Sequence, residues 1–219
     1  TVFDSLNSPV SWMRKIYIDK KNNVFLTSSK GVVKYDGNDW TIIDTSNTKL
    51  PSNKVSGVFV DSKERLWIGT YDGNIRMDSD NIVEYNNSES PLKEGAITDM
   101  YEDKKGNLWF DLYNNDDKSK GGMFVLRTNG KWESLKPKKS DLFTKNDIND
   151  FLLDEDKNEL WIALNSVGLI KYDIGNDKWE TYTTENSKVP SIHVMQLTKD
   201  GDGTIWGATF AGLIKLKAE

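Results

Sequence analysis

Short apolar runs separated by polar turns recur along the whole chain, and most of them alternate inward and outward positions. Val55-x-x-Val58-x-Val60, Ile97-x-x-Met100 and Ile148-x-x-Phe151 each open a unit as a strand with one buried face. A polar turn beginning with Asp follows, and then a second strand that carries an aromatic residue: Leu66-Trp-Ile68, Leu108-Trp-Phe110, Leu160-Trp-Ile162. A glycine starts the third strand, as in Gly31–Tyr35, Gly122–Leu126, Gly168–Tyr172 and Gly212–Leu216. The fourth strands read Trp40–Ile43, Ile82–Tyr85, Trp132–Leu135 and Trp179–Tyr182. Runs rich in β-branched and aromatic residues, bounded by Asn, Asp and Gly, are strand and turn chemistry. No stretch sustains a helical period.

The turn and second strand form an internal repeat. Its copies run Asp19–Phe25, Asp61–Trp67, Asp103–Trp109, Asp154–Trp161 and Asp200–Trp206, with successive aromatics 42, 42, 52 and 45 residues apart. Four strands in each unit of about 40–50 residues predict propeller blades, which bury their faces against neighbouring blades. The predicted fold is all-β, a single five-bladed β-propeller domain over residues 1–219 with four antiparallel strands per blade. Its blades span about 11–46, 53–88, 95–138, 146–186 and 192–219. The chain runs out after a third strand in the last unit, and Thr1-Val-Phe-Asp-Ser5 resembles a fourth strand. The N-terminal residues 1–6 are therefore expected to close the last blade and remove its open edge.

Composition narrows the chemistry. Hydrophobic residues make up 37% of the chain and charged residues 29%, a globular rather than a disordered balance. A net charge of −5 and the lack of any dense Lys/Arg block argue against nucleic acid as a partner. No run approaches the roughly 20 apolar residues of a membrane helix, so no membrane insertion is expected. The sequence contains no Cys, which excludes disulfides, thiolate catalysis and Cys-ligated zinc. Asp200–Gly203 and Asp103–Asn107 look like fragments of calcium loops but lack the spacing and closing Glu of an EF-hand. They read as turns, and neither a metal nor a cofactor is expected.

With Trp67-Ile-Gly-Thr70, Trp109-Phe-Asp-Leu112, Trp161-Ile-Ala-Leu164 and Trp206-Gly-Ala-Thr209 set side by side, the chain resembles the two-component regulator propeller repeat. Phe25-Leu-Thr-Ser28 is its weakest copy. The resemblance covers nearly the whole chain. It implies a ligand-sensing or interaction role of the kind found in periplasmic sensor regions of bacterial hybrid histidine kinases, often tied to polysaccharide use. A periplasmic, secreted or cell-surface location follows from it, with any signal peptide already removed.

In a propeller the first strand of each blade lines the central channel, and the loops between second and third strands open on one face. Candidate ligand-binding residues at that mouth are Arg14, Tyr71, Asp99, Asp111, Tyr113, Asn149, Asp150, His193, Gln196 and Phe210. Acids, amides, a cation and aromatics suit hydrogen bonding and stacking on an oligosaccharide, or on a protein ligand. No catalytic residue is assigned: there is one His, no Cys and no Gly-x-Ser-x-Gly elbow. Two other readings stay open. One is a glycan hydrolase or lyase using Asp99 and Asp150 with Arg14 or His193. The other is a scaffold that binds a protein partner on its outer rim. The loop Tyr113–Gly122 is about six residues longer than its counterparts and reads as a surface insertion. Trp67, Trp109, Trp161 and Trp206 hold one fixed place in their strands, which predicts core wedges rather than sugar platforms.

Overall fold

The computed structural model describes residues 9, 13–79, 81–85, 90–136 and 147–216. Every regular element among them is a strand, apart from two short 3-10 turns at Pro91–Glu94 and Lys118–Lys120. Blade 1 comprises β1 (Met13–Ile18), β2 (Val24–Ser28), β3 (Gly31–Tyr35) and β4 (Trp40–Ile43). Blade 2 comprises β5 (Val55–Val60), β6 (Leu66–Thr70), β7 (Gly73–Asp78) and β8 (Asn81–Glu84). Blade 3 comprises β9 (Ala96–Glu102), β10 (Leu108–Tyr113), β11 (Gly122–Leu126) and β12 (Trp132–Leu135). Blade 4 comprises β13 (Ile148–Asp154), β14 (Glu159–Leu164), β15 (Gly168–Asp173) and β16 (Lys178–Tyr182). Blade 5 shows β17 (Val194–Lys199), β18 (Ile205–Thr209) and β19 (Gly212–Leu216).

Strands pair in sequence order in every sheet, four strands in each of the first four sheets and three described strands in the fifth. This is a five-bladed β-propeller fold. The expected closing strand at residues 1–6 lies outside the described residues. The chain divides into two compact units, residues 1–114 with 124–133, and residues 115–123 with 134–219.

The Asp turns explain the repeat. In the first, second, third and fifth copies, Oδ1 of Asp19, Asp61, Asp103 or Asp200 accepts the backbone N–H groups two and four residues on. This carboxylate-held turn delivers the chain into the second strand. The other oxygen accepts the indole N–H six residues on: Trp67 at 2.9 Å, Trp109 at 3.0 Å and Trp206 at 2.7 Å. Aspartate and tryptophan thus share one clasp that holds the turn and fixes the ring. Copy four has one extra residue, and the clasp changes. There Trp161 donates to Glu159 at 3.2 Å, while the buried Asp154 accepts Lys199 Nζ at 2.6 Å.

Glycine at the start of each third strand has a different cause. Gly168 has φ of +117°, and a Cβ there would lie 2.3 Å from the Tyr182 carbonyl oxygen. Both the left-handed backbone and the close fourth strand require glycine.

In the first unit the core joins adjacent blades. Phe25, Val32, Val55, Ile68 and Ile75 pack together where blade 2 covers blade 1. Trp67, Phe59, Met100 and Phe110 do the same between blades 2 and 3. In the second unit Trp161, Leu169, Val194 and Leu197 join blades 4 and 5. Trp67, Trp109 and Trp161 are buried, as wedges should be. Trp206 is only half-buried and corrects that expectation.

Candidate functional site

The predicted site residues fall into two groups, one in each unit. In the first, Arg14 stands near the start of β1 and Tyr71 in the turn after β6. The Arg14 guanidinium donates to the Tyr71 hydroxyl at 3.1 Å. The Tyr71 ring meets Tyr113, at the end of β10, edge-on with centroids 6.2 Å apart. Lys15, beside Arg14 at a break in the β1 register, pairs with Asp99 of β9 at 3.0 Å, both side chains about one-third exposed. Side chains of blades 1, 2 and 3 are thus joined at this rim. Asp111 differs. It lies inside β10, 2% exposed, and accepts the Thr98 hydroxyl, so it braces β9 rather than facing solvent.

In the second unit Asn149 and Asp150 staple blade 4 to blade 5. Asn149 Nδ2 donates to the Val194 carbonyl at 2.7 Å, and Asp150 Oδ2 accepts the Leu197 N–H at 2.7 Å. His193 Nδ1 lies 2.8 Å from Asn165 Oδ1, and its ring stacks on Phe210 at 5.2 Å. Phe210 is 73% exposed and Gln196 is exposed. Phe210 and Gln196 are thus the predicted residues that this unit presents most openly to solvent, whereas His193, Asn149 and Asp150 are partly buried and hydrogen-bonded.

The arrangement bears on chemistry. A glycosidic acid/base pair needs carboxyl groups free to exchange protons with substrate. Asp99 is held in an ion pair and Asp150 by a backbone amide. The turn aspartates are likewise filled by N–H donors, which leaves little for a cation to bind. Among the described residues no group of three acidic or His side chains converges on a metal position. No helix among them is long and apolar enough to cross a membrane.

The turn clasp also carries a pH dependence. Burial works against the charged Asp103, but donation from the Asn107 side chain, the Trp109 indole and the backbone N–H groups of Asn107 and Lys105 outweighs it. Its pKa therefore lies below the ordinary value. The unfolded chain takes up this proton first as the pH falls. The Asp103 contribution should be complete above about pH 4 and disappear as pH falls through the folded value. Melting curves of wild type and Asp103→Asn across acid pH check this. The variant should melt lower at neutral pH and lose less on acidification; parallel curves would remove Asp103 as a cause.

Comparisons with known proteins bear on the repeat and on the fold. The two-component regulator propeller family matches residues 49–72 and 91–114, the segments that lead into and span the second and third repeat copies. No curated protein matches the chain. Among solved structures, the chain is similar to the extracellular domain assigned to the hybrid two component system BT3049 from B. thetaiotaomicron. That likeness has a TM-score of 0.74 and 23% identity over 92% of this chain and 27% of that one. It is similar to PorZ, a bacterial surface component of the type-IX secretion system of Porphyromonas gingivalis. Here the TM-score is 0.69 and the identity 17%, over 95% of this chain and 32% of that one. Virginiamycin B lyase from Staphylococcus aureus has a TM-score of 0.64 and 16% identity, over 92% of this chain and 68% of that one. Two segments of the chain match the two-component regulator propeller repeat, and at these identities the structural likeness speaks to the fold. It spans about a quarter to a third of the first two structures.

Proposed function

We propose that the chain is a non-catalytic, sensor-like binding module acting outside the cytoplasm, which recognises a carbohydrate or protein ligand at the inner-strand rim of its blades. The observation that carries this reading is the Arg14–Tyr71–Tyr113 array, where an exposed cation and two aromatic rings from three blades share one surface. Arg14 makes no ion pair among the described residues, so its guanidinium has donors left for a ligand. Tyrosine rings supply a stacking face and a hydroxyl at low entropic cost, which suits a sugar ring or a peptide. An extracytoplasmic setting is supported by the extracellular and surface proteins among the structural neighbours.

The test is a calorimetric screen of plant, host and microbial oligosaccharides and of extracytoplasmic protein partners. Ligand binding should be saturable, without turnover, and weakened about tenfold or more by Tyr71→Ala or Arg14→Ala. Turnover lost in Asp99→Asn or Asp150→Asn, with folding intact, would replace this reading by a hydrolase or lyase. Binding to a partner that ignores every rim substitution would replace it by a scaffold.

A further inference from the structure

One position of the repeat breaks its own rule. The second strand carries Trp67, Trp109, Trp161 and Trp206 in four blades and Phe25 in the first. The phenyl ring is smaller than indole and has no N–H, so Asp19 Oδ2 keeps only the Asn23 side chain, at 2.7 Å, a bond that Asn107 makes to Asp103 beside the Trp109 indole. A cavity of about 330 Å3 lies against this ring, between blades 1 and 2 of the first unit. Its apolar wall is built from Phe25, Ile43, Val60 and Leu66.

The cation beside it differs from those of blades 2 and 4 and is like Lys215 of blade 5, which also makes no ion pair among the described residues. In the strand register the residue opposite the aromatic is Lys34 on Phe25, Arg76 on Trp67, Lys171 on Trp161 and Lys215 on Trp206. Arg76 is paired with Asp78 at 2.6 Å and Lys171 with Glu159 at 2.6 Å. Lys34 lies half-buried over the Phe25 ring, 5.9 Å from its centroid, and makes no ion pair among the described residues. Lys20 also lines the cavity, likewise without an ion pair among the described residues.

The acids lining the cavity are engaged, and Asp36, which feels the Lys34 charge, accepts the backbone N–H groups of Asn38 and Asp39. Asp19 and Asp61 are filled by their own turns, and Glu64 is held by Lys21 at 2.7 Å. The cleft therefore offers an apolar wall with an aromatic face and two available ammonium groups. Pockets of this size hold small ligands by apolar contact and orient them by a few polar groups.

We propose that this cleft is a second binding site, separate from the rim, for a small aromatic carboxylate. The ring occupies the space that indole fills in the other blades, and the carboxylate lies between Lys34 and Lys20. The amphipathic match decides the class. A sugar would set hydroxyls without partners against the aliphatic Ile43, Val60 and Leu66, and a neutral arene would leave both lysines unused.

The probe is 3-phenylpropionate, titrated by calorimetry and by amide-resolved NMR against 3-phenylpropionamide, which keeps the shape and loses the charge. The carboxylate should bind saturably and the amide about tenfold more weakly or worse. Lys34→Met should weaken the carboxylate about tenfold and leave the amide unchanged. Phe25→Trp restores the residue of the other blades. It should abolish binding while the melting temperature holds or rises, which separates a filled cleft from a broken fold. Rim variants Arg14→Ala and Tyr71→Ala should leave this binding intact, so the two sites fail independently. Equal binding of acid and amide, retention of binding in Phe25→Trp, or no saturable binding up to about 10 mM would each overturn the proposal.

Discussion

Trp67→Ala should destabilise the protein by about 3–5 kcal/mol, lowering the melting midpoint by roughly 6–20 °C. The ring is fully buried, stacked on Tyr85 at 5.2 Å and edge-on to Phe110 at 5.4 Å. Arg76 and Arg65 lie over it at 5.4 and 5.7 Å, so its removal strips contacts from two blades at once. It also takes the indole donor from Asp61, a carboxylate 4% exposed. Trp67→Phe keeps most of the packing and loses only the hydrogen bond, which should cost about 1–2 kcal/mol. Chemical denaturation of both variants separates cavity from clasp. An unchanged midpoint in Trp67→Ala would show that the ring is not a wedge.

Gly69→Ala should cost about 3 kcal/mol, although the change adds a single methyl group. A Cβ at this position would stand 2.1 Å from the Ile97 carbonyl oxygen and 2.8 Å from both its carbonyl carbon and its Cβ. Ile97 belongs to the innermost strand of the next blade, and its carbonyl also accepts the buried Ser56 hydroxyl at 2.7 Å. The obstacle is backbone held by its own sheet, so no side chain can rotate away, and blades 2 and 3 must move apart. Gly201→Ala is the control, because nothing lies within 4 Å of its added Cβ. It should change stability by no more than about 0.5 kcal/mol. Comparable losses in the two variants would mean that backbone entropy, rather than blade contact, explains the effect at Gly69.

Much of the local structure can be read directly from residue order. Alternation located the strands, because side chains on a strand face opposite sides every second residue. The Asp turns and third-strand glycines marked the breaks between them, because each supplies a backbone geometry or hydrogen bond that few residues can. The rim was readable only as a set of residue types. Arg14, Tyr71 and Tyr113 do meet, but the Lys15–Asp99 pair joins residues 84 apart in sequence, and no local pattern announces it. Asp111 carries the same chemistry as Asp99 yet is sealed inside its sheet. The cleft did leave a trace, as the one copy with phenylalanine in the tryptophan place. Its meaning emerged only with the cavity and the lysines that line it.

The sequence by itself determined the number of blades, the strands within them and the Asp turns that join their first two strands. These follow from periodicity and from bonds between residues close in the chain, which four of the five copies make alike. Tertiary structure decided which carboxylates are spent on packing, which aromatics reach solvent and where a cavity remains. Those outcomes depend on the neighbouring blade, whose contacting residues lie some 40 positions away and differ from copy to copy.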